Sequence, residues 1–566
     1  MKKSITISNS PYLLLLILAI IVLIIRFFTL NKGFFSFYDE AYFLLKAREV
    51  ADGIITGKSQ WNFLAVHWFP FWDLSDAIYS RAAGNILAIF AAIIATVSSS
   101  VSFGKKHWLK FLSVSLLVYL SIGGQISYVN MQAFLLCIAL SAFLVYAKSE
   151  KEIIKRAMLV IAGFAGGLSL FVILPGGALT LLCFAIVVIL INRRNIKKGF
   201  LQLAFGVIGV VISMAYMHFF ICNLKDVLDA MSFTATYFTK SGYHYDPLSF
   251  ATAIGLFLRD CIFIFVFYCG AYYLAGKFNF QKFKWIGGVF YLALIFVYTY
   301  YQKKPVISSA MFFSSLVVIP FVFDNLGKLS LKEVFSKKGI INSFLFCFPL
   351  IASMGTNTSL SGRISCFIIS WCFIWFGAES SEDSAKPKWY VTLAAILIIL
   401  FPSIKGTVST LRDTENCVHF EKGNPDFAKL YINEKQKEYF DNVFDLLKDY
   451  GYQEDSSIVF TAAFDYATVL AFNAKLSSNF HQINNFLYWE KSKMLKPDFI
   501  ILSGWDETVI GEELKETGWG WPEEFDAYDM GTPETTIITS ADIEQRTVYC
   551  RKSQKSTIQV GNPLID

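Results

Sequence analysis

The sequence predicts a polytopic α-helical membrane protein with about thirteen spans, followed by a C-terminal extracytoplasmic α/β domain. Three observations carry this. Of 566 residues, 55% are apolar and 17% charged, against about 25% charged in a soluble chain. Apolar runs long enough to cross a bilayer, roughly 20 residues each, recur as far as residue 403. Beyond that point the chain turns polar and no spanning run follows.

Lys2 and Lys3 precede an apolar run over 11–25. It is too long for a signal-peptide core and lacks a small-residue cleavage site, so it reads as an uncleaved first span. Spans are expected near 11–30, 82–103, 108–127, 131–147, 157–174, 177–191, 200–221, 250–275, 285–301, 306–323, 340–354, 362–378 and 388–403. The pairs meeting at 123–128 and at 175–177 read equally as broken single spans. Lys and Arg gather around 105–106, 148–156, 193–198, 277–284, 328–338 and 386–388. A cytoplasmic N-terminus puts all of these inside, and an odd span number then puts the C-terminus outside. The assignment is a multi-pass membrane protein with a cytoplasmic N-terminus. The net charge of +6, spread over short loops, is a topology signature, so no nucleic-acid partner is expected.

Two outer loops are long. The first, 31–81, is expected to hold interfacial helices, with an amphipathic one over about 39–51. Ala41, Leu44 and Leu45 share one face of it, and Lys46, Arg48 and Glu49 lie away from that face. An aromatic stretch through Trp61, His67, Trp68, Pro70 and Trp72 then suits the membrane–water interface. The second long loop, 223–246, ends in polar aromatics around His244. The chain divides into a membrane module, 1–403, and a domain, 404–566. In the latter, helical patterning at 434–450 and 464–472 alternates with short apolar runs at 457–460, 498–502 and 546–550. Eight of the ten cysteines sit in or beside apolar runs as small hydrophobes. Cys417 and Cys550 bracket most of the domain, and a disulfide between them suits an oxidising compartment.

Cations on the outer face run against the positive-inside bias, so Lys46, Arg48, Arg81, Lys303, Lys304 and Arg363 each ask for a local partner. The adjacent pair Asp39-Glu40 offers a general base for a hydroxyl or amine acceptor. Neighbours on a helix point roughly 100° apart, so only one of the two aims at a substrate. The local alternative is capping: Ser36 and Asp39 have capping-box spacing, and acids favour the first helical turn. Lys303 and Lys304, beside Tyr301, form an anion site for a lipid phosphate, or for ordinary headgroups; Arg363 is a similar candidate. Arg81 opens the second span and can reach back over the first loop. Arg26 and Arg259-Asp260 fall within the apolar layer, where an unpaired charge costs about 2.5–3.5 kcal/mol; a snorkelling Arg26 and an Arg259–Asp260 pair would answer this. His67, His244 and Trp489, Trp505, Trp519 and Trp521 are weak signals, more often structural. Walker A, GxSxG, HExxH and DxD patterns are absent from the sequence, which argues against nucleotide-driven transport, serine hydrolysis and a DxD metal site.

A first span ending in Arg26, then Asp39-Glu40 opening a helix that continues Ala41-Tyr42, resembles the GT-C membrane glycosyltransferases. The resemblance is to the branch of the protein O-mannosyltransferases and lipid A aminoarabinose transferases. It extends to Pro70 and to Arg81 at the start of the second span. It implies a polyprenyl-phosphate-linked sugar as donor, transfer on the outer face, and a lipid, glycan or protein acceptor. Carried over residue by residue, Asp39 is the base and Glu40 its support. Arg81, Lys303, Lys304, Arg363, His67 and Tyr42 are then expected to bind substrate or lipid phosphate. One departure stands out: the second outer loop, 123–132, has no acidic residue, and Asn130 takes that place. This leaves metal dependence open, and no motif supports a divalent metal. The rival classes are a flippase of lipid-linked glycans, which would carry charges through several spans, and a membrane scaffold with a partner-binding outer domain.

Overall fold

The structure, a computed structural model, describes residues 10–32, 39–51, 76–122, 126–221, 284–301, 331–354, 365–380, 417–424, 429–454, 456–460, 465–476, 496–503, 514–532 and 545–552, with shorter pieces between 223 and 270, near 393–400 and at 511–512. The expected span at 306–323 lies outside the described residues, and those at 250–275 and 388–403 fall within them only in part.

The helices follow the apolar runs. Among the described residues the longer ones up to Ser380 are α1 (Ser10–Phe28), α2 (Asp39–Ala51), α3 (Ala77–Phe103), α4 (Trp108–Leu120), α5 (Tyr128–Lys148), α6 (Glu152–Leu170), α7 (Leu174–Ile191), α8 (Ile196–Tyr216), α9 (Lys284–Tyr301), α10 (Lys337–Ala352) and α11 (Ile369–Ser380). Among the described residues five helices are long and apolar enough to cross a membrane: α3, α5, α6, α7, and α8 with its π-helical extension to Ile221. Pro175 sits in the first turn of α7, where its missing N–H costs nothing, so α6 and α7 are two helices and not one broken span. The other doubtful pair also separates. Ser127 caps α5 by accepting from the Asn130 N–H. The helix expected over 108–127 is only thirteen residues long, about 20 Å. It stops at Leu120, where Ser121 turns its hydroxyl back onto the Val118 carbonyl.

α6 and α8 pack backbone to backbone. A Cβ on Gly163 would stand 2.0 Å from the Gly206 carbonyl oxygen, and one on Gly209 would stand 2.1 Å from that of Val160. Small residues at such crossings let dispersion and weak polar contacts hold helices that lipid would otherwise solvate. At one end of the bundle Glu152 accepts from Lys155 at 3.1 Å and Lys198 at 2.7 Å, tying α6 to α8. Lys148 and Lys337 stand within electrostatic reach of the same cluster.

The C-terminal part forms α12 (Glu434–Asp449), α13 (Asp465–Phe472) and two sheets. β1 (Cys417–His419) and β2 (Tyr431–Asn433) pair antiparallel. β3 (Ser457–Phe460), β4 (Lys475–Leu476), β5 (Phe499–Ser503), β6 (Phe525–Asp529) and β7 (Arg546–Arg551) form a mixed sheet in the order β4-β3-β5-β7-β6. β3, β4 and β5 run parallel, with α13 crossing from β3 to β4; β7 and β6 extend the sheet antiparallel. The runs at 457–460, 498–502 and 546–550 are thus its three inner strands. Trp519 and Trp521 are buried packing residues. No disulfide joins Cys417 and Cys550, which the sequence allowed without requiring: one lies in the small β1–β2 sheet and the other inside the five-stranded one.

Candidate active site

The site is built around α2, which begins at Asp39 as its pattern predicts. The apolar face formed by Ala41, Leu44 and Leu45 is buried, but not in lipid. It enters a core with Phe420, Phe440, Tyr466, Leu470 and Phe472 of the C-terminal part. Phe43 and Ala47 join the core of the helical bundle instead, Phe43 packing against Tyr128 of α5 with ring centroids 5.7 Å apart. The helix is therefore gripped on two sides.

Glu40 fixes its N-terminal end. This carboxylate is 2% exposed and accepts from Arg81 Nε at 2.8 Å. Burial raises its pKa above the ordinary carboxylate value, while the charge and hydrogen bonds of Arg81 oppose that shift. Arg81 also donates from Nη1 to the carbonyls of Leu30 at 2.7 Å and Lys32 at 3.2 Å. One guanidinium thus joins the segment leaving α1, the first turn of α2 and the second turn of α3. The expected reach of Arg81 over the first loop is present, and its fork is engaged by Glu40 and backbone. Asp76 caps α3 by accepting from the Ile78 and Tyr79 N–H groups, and it also pairs with Lys429 at 3.2 Å.

Arg26 does not simply snorkel. Its Nη2 donates to the carbonyl of Leu120, one of the open carbonyls at the end of α4. Its Nη1 has no hydrogen-bond partner among the described residues. Asn85, one turn beyond Arg81, donates to the Arg81 carbonyl, and its buried Oδ1 is likewise unpartnered among the described residues. Two buried polar atoms, one on Arg26 and one on Asn85 beside Arg81, thus have hydrogen-bonding capacity to spare.

Asp39 and Tyr42 are described as positions in α2, at its first and fourth residues. Asn130 lies in the first turn of α5. His67, His244, Lys303, Lys304, Arg363 and Asp260 lie outside the described residues, so the expected anion site and the Arg259–Asp260 pair do too. Among the described residues no group of three or more His, Cys, Asp or Glu side chains comes together. The sequence reading missed Asp76 and Lys429. Asp76 carried a signal, an acid directly before an apolar run, whereas Lys429 is one of many surface lysines in its region.

No protein-family model and no curated protein matches the chain. Among solved structures, the oligosaccharyltransferase of Archaeoglobus fulgidus, in complex with zinc and sulfate, is similar at 12% identity, over 90% of this chain and 71% of that one, with a TM-score of 0.45. The archaeal oligosaccharyltransferase AglB from the same organism, in complex with an inhibitory peptide and a dolichol-phosphate, is similar at 12% identity over 91% and 73%, with a TM-score of 0.42. ArnT from Cupriavidus metallidurans, bound to undecaprenyl phosphate, is similar at 11% identity over 96% and 98%, with a TM-score of 0.42.

Proposed function

We propose that this chain is a membrane glycosyltransferase that moves a sugar from a polyprenyl-phosphate-linked donor to an acceptor, with Asp39 as the carboxylate that activates or orients the acceptor. The observation that carries the reading is the division of labour within the acidic pair. Glu40 is buried and committed to Arg81, so it positions. Asp39 opens the same helix one residue earlier, about 100° around the axis, and is the carboxylate to which this reading assigns the chemistry. A helix N-terminus favours the anionic form of a carboxylate, which is the form a general base needs.

In this reading the donor lipid lies along the bundle and presents its phosphate near the ends of α1, α3 and α5. Arg26, with one nitrogen unpartnered among the described residues, suits such an anion. Lys303, Lys304, Arg363, His67 and Tyr42 remain proposed contacts from the sequence and the resemblance. The site faces outward across a bacterial inner membrane, with the N-terminus cytoplasmic and residues 404–566 forming an extracytoplasmic domain. The acceptor is a lipid, glycan or protein hydroxyl or amine.

The test is sugar transfer in membranes supplied with polyprenyl-phosphate sugars, comparing the native chain with Asp39→Asn. That change keeps the shape and removes the base, so turnover should fall by about 10²–10⁴, with the protein still inserted. Equal turnover would reduce Asp39 to a helix cap. Absence of transfer in both, with every donor tried, would favour a flippase of lipid-linked glycans.

A further inference from the structure

We infer that Arg48 is a positioning residue, through which the end of α13 in the C-terminal part sets the orientation of α2; the consequence for catalysis rests on the role proposed for Asp39. Three observations converge on it. A helix of thirteen residues is marginal in water by itself, so the placement of α2 comes from its neighbours. Glu40 fixes one end against the bundle. Eight residues on, about 12 Å along the axis, Arg48 fixes the other against the C-terminal part. Its Nη1 donates to Asn473 Oδ1 and its Nη2 to the Ala474 carbonyl, both at 2.7 Å.

The receiving end is shaped for this contact. Asn473 ends α13 in the left-handed conformation, at φ +58°, and among the described residues no other non-glycine residue has a positive φ. Its N–H closes onto the Leu470 carbonyl, and the Ala474 N–H onto that of Val469, as in a helix-terminating αL turn. Glycine would take that backbone conformation without steric cost. Asparagine adds an acceptor, and Arg48 uses it. The guanidinium also meets the negative end of the helix dipole. Its planar fork makes two directed bonds at once, which a lysine ammonium does not reproduce.

The remaining contacts grip the same loop at both ends. The Tyr431 N–H donates to the Asn31 carbonyl at 2.9 Å where the loop begins, and Lys429 pairs with Asp76 where it closes. The C-terminal part is thus more than an appended module. It completes the packing of the helix that carries Asp39, so loosening it displaces the acid without touching it.

The experiment uses the full chain in lipid nanodiscs and two readouts: amide hydrogen exchange over 39–51, and steady-state sugar transfer. Arg48→Met should speed exchange in α2 by about tenfold or more, leave β3 and α13 protected, and lower kcat by about 10–100-fold with the donor KM unchanged. Arg48→Lys should recover only part of both. Asn473→Gly keeps the backbone turn, serves if Arg48→Met does not fold, and should shift both readouts the same way by less. The double variant should be no worse than Arg48→Met. Unchanged α2 exchange in Arg48→Met, or effects that simply add in the double variant, would overturn the inference. If the native chain transfers no sugar from any donor, the catalytic reading fails, and the exchange data alone decide whether Arg48 holds α2.

Discussion

Glu40 and Arg81 leave water together, and that fixes how each may be changed. A buried ion pair repays its desolvation only while both partners are present, and removing one strands a charge at a cost of about 3–5 kcal/mol. With side-chain exposures of 12% for Arg81 and 2% for Glu40, Arg81→Met should therefore lower the unfolding temperature of the detergent-solubilised chain clearly and stop transfer. Combining Glu40→Leu with Arg81→Met removes both charges, so most of the stability should return. Transfer should not, because the N-terminal end of α2 is no longer fixed. Thermal unfolding and turnover on the same three samples separate the outcomes, and a fully stable Arg81→Met would show that the pair anchors nothing. The partnership was half legible in the sequence. A cation on the outer face asks for a local partner, and both Arg81 and Arg48 have one. Which of two adjacent acids would be buried was not legible, because it depends on how α2 is rotated, and tertiary contacts set that.

At the scale of elements, the sequence marked where helices lie more clearly than what they touch. The bounds of α2, α12 and the inner strands follow from apolar periodicity and capping, as in the Asn433–Gln436 capping box that opens α12. The short strands β1, β4 and β6 carried too little pattern to be read. The apolar face of α2 looked ready for lipid because a sequence shows that a face is apolar and not which surface covers it. The same limit applies between α6 and α8, where close approach is visible only in three dimensions. Gly163 and Gly206 face each other across this contact, yet unequally: a Cβ on Gly163 meets backbone at 2.0 Å, and one on Gly206 meets nothing within 4 Å. Gly163→Ala should therefore force the helices apart and cost about 1–3 kcal/mol, while Gly206→Ala should be tolerated. Thermal unfolding of the two variants in one detergent checks this, and equal behaviour would mean that the helices do not meet so closely.

At the scale of the whole molecule, the contacts sort the chain into two ends. One end gathers Arg26 and the end of α4, the start of α3, Tyr128 at the start of α5, and α2 with the C-terminal part. The other gathers Lys148, Lys155, Lys198 and Lys337 around Glu152. Following α3 to α8 in order, each helix runs from one end to the other and the next returns, so the basic loops fall together as the charge bias requires. This alternation is independent of the net charge of any loop, because it rests on which residues touch. On the outward-facing reading proposed above, the C-terminal part belongs on the face opposite Lys106. In intact cells, a membrane-impermeant thiol reagent should label Glu512→Cys, whose side chain is 82% exposed, and should spare Lys106→Cys until the membrane is opened, after subtraction of the unsubstituted chain. Both positions labelled from outside would place the basic loops and the C-terminal part on one side. That would break the alternation and take the Asp39 helix away from the face where an outward-facing transfer needs it.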